Sequence, residues 1–417
     1  MGGALRRVQL RMTPTAPVLD RSAFKNTLEL VALQVPSRSC QAFLSNKDLR
    51  PFILQRAFVR PIEKDPGDTA LRLVLLDEQV KQLDDLSGTA RAFVESSGAK
   101  FVPFQLEVSY EQCTAEQVMK ALMPESCVIR SFETIGHIAH VNLRDDQLPY
   151  KHVIAQVLLD KHPNLRTVVN KVGQISNEYR VFDMEVIGGD ANLDTEVSEH
   201  GSRFQFNFGE VYWNSRLQTE HRRLVDAFDE GCVIADMFCG VGPFAVPAAR
   251  RRSCTVHAND LNPRSVHYLK KNIALNGIDG SIIPYNLDAR QFIEESRERQ
   301  RTGEISMFDH IIMNLPAMAL EFLDVFRGAY APDEKRPRIH VYCFTCAEEA
   351  DAEDDILRRA ESALGSPIVD PTLHCVRKVA PRKDMYCLSF NLPEQAVGTS
   401  AERPMKRHCA EMAPYHP

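Results

Sequence analysis

Residues 232–244, CVIADMFCGVGPF, carry an apolar run, an acid at its end, two glycines and a proline that opens a helix. Cys232 to Ala235 read as a buried parallel strand, with Asp236 where that strand leaves the sheet. Gly240 and Gly242 let the backbone turn sharply and approach a ligand, and Pro243 suits a first helical position. Ligands of open α/β sheets sit beyond the carboxyl ends of the strands, where Asp236 and both glycines fall. A unit of this kind holds a nucleoside-type cofactor. Gly240-x-Gly242-x-x-Ala245 also satisfies a relaxed dinucleotide fingerprint, and a plain strand-to-helix turn needs no ligand at all. Asp236 separates these readings. A carboxylate there repels a pyrophosphate and pairs with the methionine ammonium of S-adenosylmethionine.

The next segments continue the pattern. Thr255 to Asp260 is a second strand ending in an acid, 18 residues beyond Gly242, placed to accept hydrogen bonds from ribose hydroxyls. Asn262-Pro263 caps and opens a helix that closes at Asn276-Gly277. Ser281 to Tyr285 is a third strand, with Asp288 just past it, suited to an adenine amino group. Phe308 to Met313 is a fourth, running into Asn314-Leu315-Pro316. Ile339 to Phe344 is a fifth, and residues 372–380 and 385–391 form a final strand pair. Each acid alone reads as a solvated loop residue or a helix cap. Three at successive strand exits of one βαβ series point to a common site.

At 417 residues the chain should hold two or three domains, since single cores stop growing near ~250–300 residues. A hydrophobic content of 44% with 25% charged residues is ordinary for a globular protein, and no apolar run approaches the ~20 residues of a membrane span. Eleven cysteines, several inside apolar strands, suggest reduced thiols. Cys343-x-x-Cys346 is the one close pair; without a second pair no metal site is expected, and Cys343 reads as strand core. The net charge of −6 argues against a uniformly basic nucleic-acid binder. Positive charge is nevertheless clustered at Arg222-Arg223, Arg250-Arg251-Arg252, Lys270-Lys271, Arg377-Lys378 and Arg382-Lys383. These clusters can grip phosphates or simply face solvent. Residues 1–19 hold three arginines and no acid before Asp20, in the manner of a short targeting segment, and the tail from Pro393 reads as disordered.

Upstream, residues 137–143, 167–172 and 180–187 read as strands, with a helix through His152 to Asp160. Residues 203–208, RFQFNF, alternate cleanly, so Phe204, Phe206 and Phe208 share a face, for base stacking or for a sheet core. Residues 20–115 mix helix and strand patterns without readable chemistry. The connector from Tyr212 leads into a helix with Leu217, Leu224, Val225 and Phe228 on one stripe. Glu220 and His221 lie on or beside that stripe. A carboxylate so placed is desolvated, as suits a general base; the alternative is a helix-edge acid paired with Arg223 or Arg216.

EYRVFDMEVIGG, FGEVYWNSRLQTEH, DMFCGVGPFAVPAA, NLDAR, MNLP and VRKVAPRKDMYC, following FETIGHIAHVNLRDDQLPYK at 132–151, resemble in order the motifs of the eukaryotic and archaeal tRNA guanine-37 N1-methyltransferases. Cys239, where many relatives have alanine, is the one departure noted, and it is small. The resemblance implies a Rossmann-like class I methyltransferase domain over residues 211–392, doubly wound and mostly parallel with a final antiparallel pair. It implies α+β RNA-binding domains before it: residues 20–115 on the tRNA body and 116–210 in the middle. The implied reaction moves a methyl group from S-adenosylmethionine to N1 of guanosine 37 of tRNA, maintaining reading frame and opening the route to wybutosine. Glu220 then falls on the family's general base, and Arg180 on the arginine that stabilises charge on O6. Asn314 falls on the residue that orients the base, and Tyr212 on an aromatic packed near it. Cofactor contacts fall on His221, Asp260, Leu261, Asp288, Ala289 and Asn314, with Asp236, Gly240 and Gly242 as the cradle. A monomer in the cytoplasm, with nuclear and mitochondrial forms, acting on tRNA and not on a membrane, completes the expectation. Two rivals keep the fold: the wybutosine-pathway aminocarboxypropyl transferase, and a non-catalytic tRNA-binding adaptor.

Overall fold

The structure, a computed structural model, describes residues 18–172, 181, 183–380 and 382–394. It divides into two compact units, one running to Val172 and taking in Met184–Asn192, the other holding Gly173–Asp183 and everything from Leu193. Among the described residues no helix is long and apolar enough to cross a membrane.

The first unit carries two four-stranded sheets. Strands β1 (Asn26–Pro36), β2 (Ile62–Lys64), β3 (Leu71–Leu75) and β4 (Lys100–Val108) assemble antiparallel in the order β2-β3-β1-β4. Helices α1 (Cys40–Ser45) and α2 (Gly88–Ser97) belong to this part; α2 starts at Ser87, whose side chain caps Ala90 N–H, and ends on the left-handed Gly98. The second sheet holds β5 (Glu133–Ile135), β6 (Ile138–Val141), β7 (Thr167–Val172) and β8 (Asp183–Gly189), with helices α3 (Ala115–Leu122) and α4 (Lys151–Lys161). Phe24, Tyr110 and Cys113 share one apolar core with α3 and α4. The division expected between residues 115 and 116 therefore runs through a packed core, which apolar patterning along the chain does not reveal.

The second unit opens with a hairpin of β9 (Asp194–Glu199) and β10 (Ser202–Asn207), then α5 (Gln218–Asp226). Seven strands follow: β11 (Val233–Asp236), β12 (Thr255–Asn259), β13 (Ile282–Tyr285), β14 (His310–Met313), β15 (Arg338–Thr345), β16 (Thr372–Ala380) and β17 (Lys383–Asn391). Between them lie α6 (Ala245–Arg252), α7 (Pro263–Asn276), α8 (Ala289–Arg301) and α9 (Ala352–Leu364). The sheet order is β13-β12-β11-β14-β15-β17-β16, parallel through β15 and antiparallel across the last two pairings, as expected from the sequence. Chain order reverses on either side of β11, so the crevice between β11 and β14 is the switch point where such sheets bind ligands.

The unit begins at Leu193, upstream of the expected boundary at 211, because the hairpin is fastened to α7. Asn272 and Asn276, one turn apart, meet the edge of β10: their Oδ1 atoms accept from Gln205 N (2.8 Å) and Arg203 N (2.9 Å). Phe204, Phe206 and Phe208 are buried, and the first two pack against Trp213 at 5.3 and 4.9 Å. They are core and not a stacking platform. The outermost strand, β16, pairs with β17 through register shifts at Cys375/Arg377 and Lys378/Ala380.

Candidate active site

The loop after β11 turns on Gly240 (φ 54°) and Gly242 (φ 98°), both in the left-handed region that favours glycine. A Cβ on Gly242 would stand 2.8 Å from Leu269 Cδ1 and 2.9 Å from Val246 Cγ2, whereas one on Gly240 would meet nothing within 4 Å. Gly242 is thus a packing requirement, and Gly240 faces open space. Pro243 lies ahead of α6, which begins at Ala245; Gly242 O already accepts from Val246 N at 2.9 Å, so the proline sits in the turn feeding the helix, not at its first residue.

Asp236 is fully buried at the exit of β11, and its Oδ2 has no hydrogen-bond partner. Burial, aided by the nearby Asp260 charge, pushes its carboxyl up to about 8. Asp260, just past β12, accepts from Gly240 N (2.8 Å) and Asn262 N (2.9 Å), which ties the loop after β12 to the glycine loop. Its carboxyl too is raised by burial. Asn314, directly after β14, has a buried Oδ1 without a partner. Asp236 and Asn314 thus flank the switch point, each holding an acceptor with nothing to accept from. A buried orphan acceptor is costly, and a pair of them at a ligand crevice marks where donors are supplied from outside. An ammonium beside Asp236 and hydroxyl donors beside Asp260 fit this donor-poor set.

Leu261 is exposed, and its carbonyl takes Asn286 Nδ2 at 3.0 Å. Asp288 is the N-cap of α8, its Oδ1 accepting from Arg290 N and Gln291 N at 2.9 and 3.4 Å, with Ala289 buried behind it. Capping is the local reason for that acid, which follows β13, two strands from β11.

Helix α5 presents Glu220 and His221 inward; both are buried. Arg223 Nε and Nη2 donate to the two Glu220 oxygens at 2.6 Å each, so the ion-pair alternative is realised with Arg223. Tyr342 Oη, on β15, donates to Oε1 at 2.8 Å, and His374 Nε2, on β16, lies 3.3 Å from Oε2. The Arg223 guanidinium is held well above its ordinary pKa, chiefly by the hydrogen bonds to Glu220. His221 Nδ1 lies 3.0 Å from Glu199 Oε2 on β9, and its ring meets Phe244 edge-on at 4.8 Å. Phe244, at the end of the glycine loop, also packs against Tyr342 at 5.7 Å. Since Met313 pairs with Val341, Tyr342 stands beside Asn314. One cluster therefore joins Glu220, His221, the glycine loop and the end of β14. Tyr212 is exposed, with its hydroxyl 3.3 Å from Asn214 Nδ2; Arg180 lies outside the described residues.

The basic clusters are partly neutralised. Arg222 and Arg251 share Asp226, and Arg252 donates to the Asp226 carbonyl, while Lys270 and Lys271 are exposed. Cys343 is buried strand core. Among the described residues no group of three or more His, Cys, Asp or Glu is placed to hold a metal ion.

The family model of the TRM5/TYW2 methyltransferase domain matches residues 195–365, and that of the TYW2 N-terminal domain matches 115–192. The two meet where the compact units divide. A tRNA (guanine(37)-N(1))-methyltransferase of Phytophthora infestans (strain T30-4) is 43% identical over 401 residues, covering 93% of this chain and 95% of that protein. The chain belongs to the tRNA (guanine(37)-N(1))-methyltransferase family. The Homo sapiens member is 37% identical over 405 residues, with 94% and 79% covered. The crystal structure of wild-type Trm5b from Pyrococcus abyssi shares 25% identity at a TM-score of 0.62, covering 87% of this chain and 98% of that one.

Two members of the constellation escape sequence reasoning. Tyr342 reads as strand core; the available signal is that a tyrosine inside an apolar strand needs a partner for its hydroxyl. Glu199, in the polar stretch DTEVSEHGS, carries no signal of a partner, yet it is buried against His221.

Proposed function

We propose that the protein transfers a methyl group from S-adenosylmethionine to N1 of guanosine 37 in tRNA. The observation that carries this reading is the pair of orphaned acceptors on Asp236 and Asn314 at the switch point, beside a buried Glu220, in a chain of this family. When bound, S-adenosylmethionine supplies an electrophilic methyl group on a sulfonium. Asp236 would hold its ammonium, and Asp260 its ribose hydroxyls. Leu261, Asp288 and Ala289 would border the adenine, and the Gly240–Gly242 turn would let the backbone come close. His221, steadied by Glu199, would border the methionine end.

Guanine N1 carries a proton at neutral pH and becomes nucleophilic only as that proton leaves. Glu220 takes the proton, and Asn314 orients the guanine edge. Arg180 offsets charge gathering on O6, worth ~10²–10³-fold for one such donor. Tyr212 packs against the base once it has left its stack. Two hydrogen bonds from Arg223 and one from Tyr342 hold Glu220, with His374 against Oε2, so proton transfer requires a partner to give way. Arg223 and His374, with side chains 36% and 42% exposed, are the partners able to move.

The test mixes purified protein, labelled S-adenosylmethionine and unmodified tRNA transcript, followed by digestion to nucleosides. N1-methylguanosine at position 37 is the expected product. The match of residues 115–192 to the TYW2 N-terminal domain favours, as a second reading, aminocarboxypropyl transfer to a modified base. An aminocarboxypropyl product, or no product, would overturn the methyltransferase reading.

A further inference from the structure

The Glu220 carboxylate is asymmetric in its surroundings. Oε1 meets the fully buried Tyr342 hydroxyl at 2.8 Å. Oε2 faces His374 at 3.3 Å on the edge strand β16, whose side chain is 42% exposed. Arg223 bridges both oxygens from a half-exposed position. Tyr342 cannot follow a moving carboxylate: it is paired with Cys387 in the interior of the β15–β17 ladder, and its ring is packed on Phe244.

We propose that Tyr342 is a positioning residue for Glu220, holding Oε1 so that Oε2, on the side of His374, takes the guanine N1 proton. This rests on Glu220 being the base. In the step itself, the N1–H bond breaks toward Glu220 Oε2, the electron pair stays on N1 for its new bond to the methyl carbon, the carbon–sulfur bond breaks with its pair passing to sulfur as the neutral thioether, and His374 yields its place to the guanine edge. Tyr342 keeps its own proton throughout, because burial pushes its hydroxyl far above the ordinary range. Its hydrogen bond and the two from Arg223 hold the carboxylate from two elements. The remaining titratable neighbours are His374 on β16 and the Cys387 thiol on β17, the latter pushed up to about 11 by burial and therefore neutral near pH 7.

The test is a pair of substitutions, Tyr342→Phe and Glu220→Gln, alone and together, read by single-turnover methylation over a range of tRNA concentrations. A base left without its positioning donor should take the proton more slowly while tRNA capture is untouched, so Tyr342→Phe should lower the single-turnover rate at saturating tRNA by about tenfold and leave the half-saturating tRNA concentration within about twofold of wild type. Melting temperature and affinity for S-adenosylhomocysteine should stay close to wild type, since the ring is preserved. In the Glu220→Gln background, Tyr342→Phe should add less than about a twofold change, as expected for a residue acting through another. An unchanged saturating rate, or equal slowing in both backgrounds, would overturn the role of Tyr342 and leave the base reading standing. A Glu220→Gln rate within about threefold of wild type would instead remove the base itself, and the proposal with it.

Discussion

Binding of the cofactor should release a proton, and Asp236 is the reason. In the free protein its carboxyl, pushed up to about 8 by burial, is mostly protonated at pH 6. At that pH about one Asp236 in a hundred is ionised, against about half at pH 8. The partner ammonium is an α-amino group titrating at roughly 7.7–8.0, so about two-fifths of it is still charged at pH 8. The product of the two populations rises about twentyfold from pH 6 to pH 8, and the association constant should rise with it. Calorimetry with S-adenosylhomocysteine, in two buffers of different ionisation enthalpy, reads both the affinity and the proton. The expected result is a Kd falling by about an order of magnitude or more, with close to one proton released per site near pH 6–7. Asp236→Asn should flatten the profile and weaken binding mainly at pH 8. A wild-type Kd constant within about threefold, with no buffer dependence of the heat, would refute the pairing. The same shift fixes a sign for stability. A carboxyl whose folded pKa is raised contributes stability that is intact below its unfolded value of 3.8 and is lost as pH climbs to about 8. Asp236→Asn should therefore raise the melting temperature of the ligand-free protein at pH 8 and leave it little changed near pH 4.

Asp260→Ala removes an acceptor for ribose and frees two loop amides; the Kd for S-adenosylhomocysteine should rise ~10–100-fold by calorimetry, matching roughly 1.5–3 kcal/mol for a hydrogen bond to a charged group. Unchanged affinity in a folded variant would remove Asp260 from the site. Gly242→Ala meets two side chains below 3.0 Å at φ 98°, so denaturant melts should show a loss of at least about 1–3 kcal/mol, with Gly240→Ala milder because its Cβ has room. Phe206→Ala should cost about 3–5 kcal/mol in the same melts while tRNA affinity of the folded protein holds, since the ring is buried on Trp213. A tRNA affinity loss without destabilisation would restore the stacking reading.

What could be read along the chain followed the range of the interactions. The parallel strands announce themselves as short apolar runs because both sheet faces are covered, and Asp236, Asp260 and Asn314 follow from where those runs stop. Glu220 was visible because helix periodicity puts it beside Leu217, Leu224 and Val225, and Arg223 because it is three residues away. Tyr342 lies 122 residues from Glu220 and reaches it only once α5 is laid on the sheet, a placement no local pattern encodes. The hairpin's membership of the second unit was equally hidden, since it depends on two asparagine side chains of α7 meeting a strand about 70 residues upstream. Asp288 illustrates the opposite case: its capping role is set by the helix that starts at the next residue and needs no distant partner.

The uneven outer border of the large sheet has a consequence for how the molecule behaves among its copies. A straight terminal strand offers a row of free backbone donors and acceptors that a second chain can copy. β16 breaks that row at two register shifts and places Arg377 and Lys378 along it. Such a margin twists away from a would-be partner and sets like charges against each other when two molecules meet. The strand that brings His374 to the carboxylate is thus a poor template for growth, and the sheet can keep its reactive side at the rim without inviting another molecule to lengthen it.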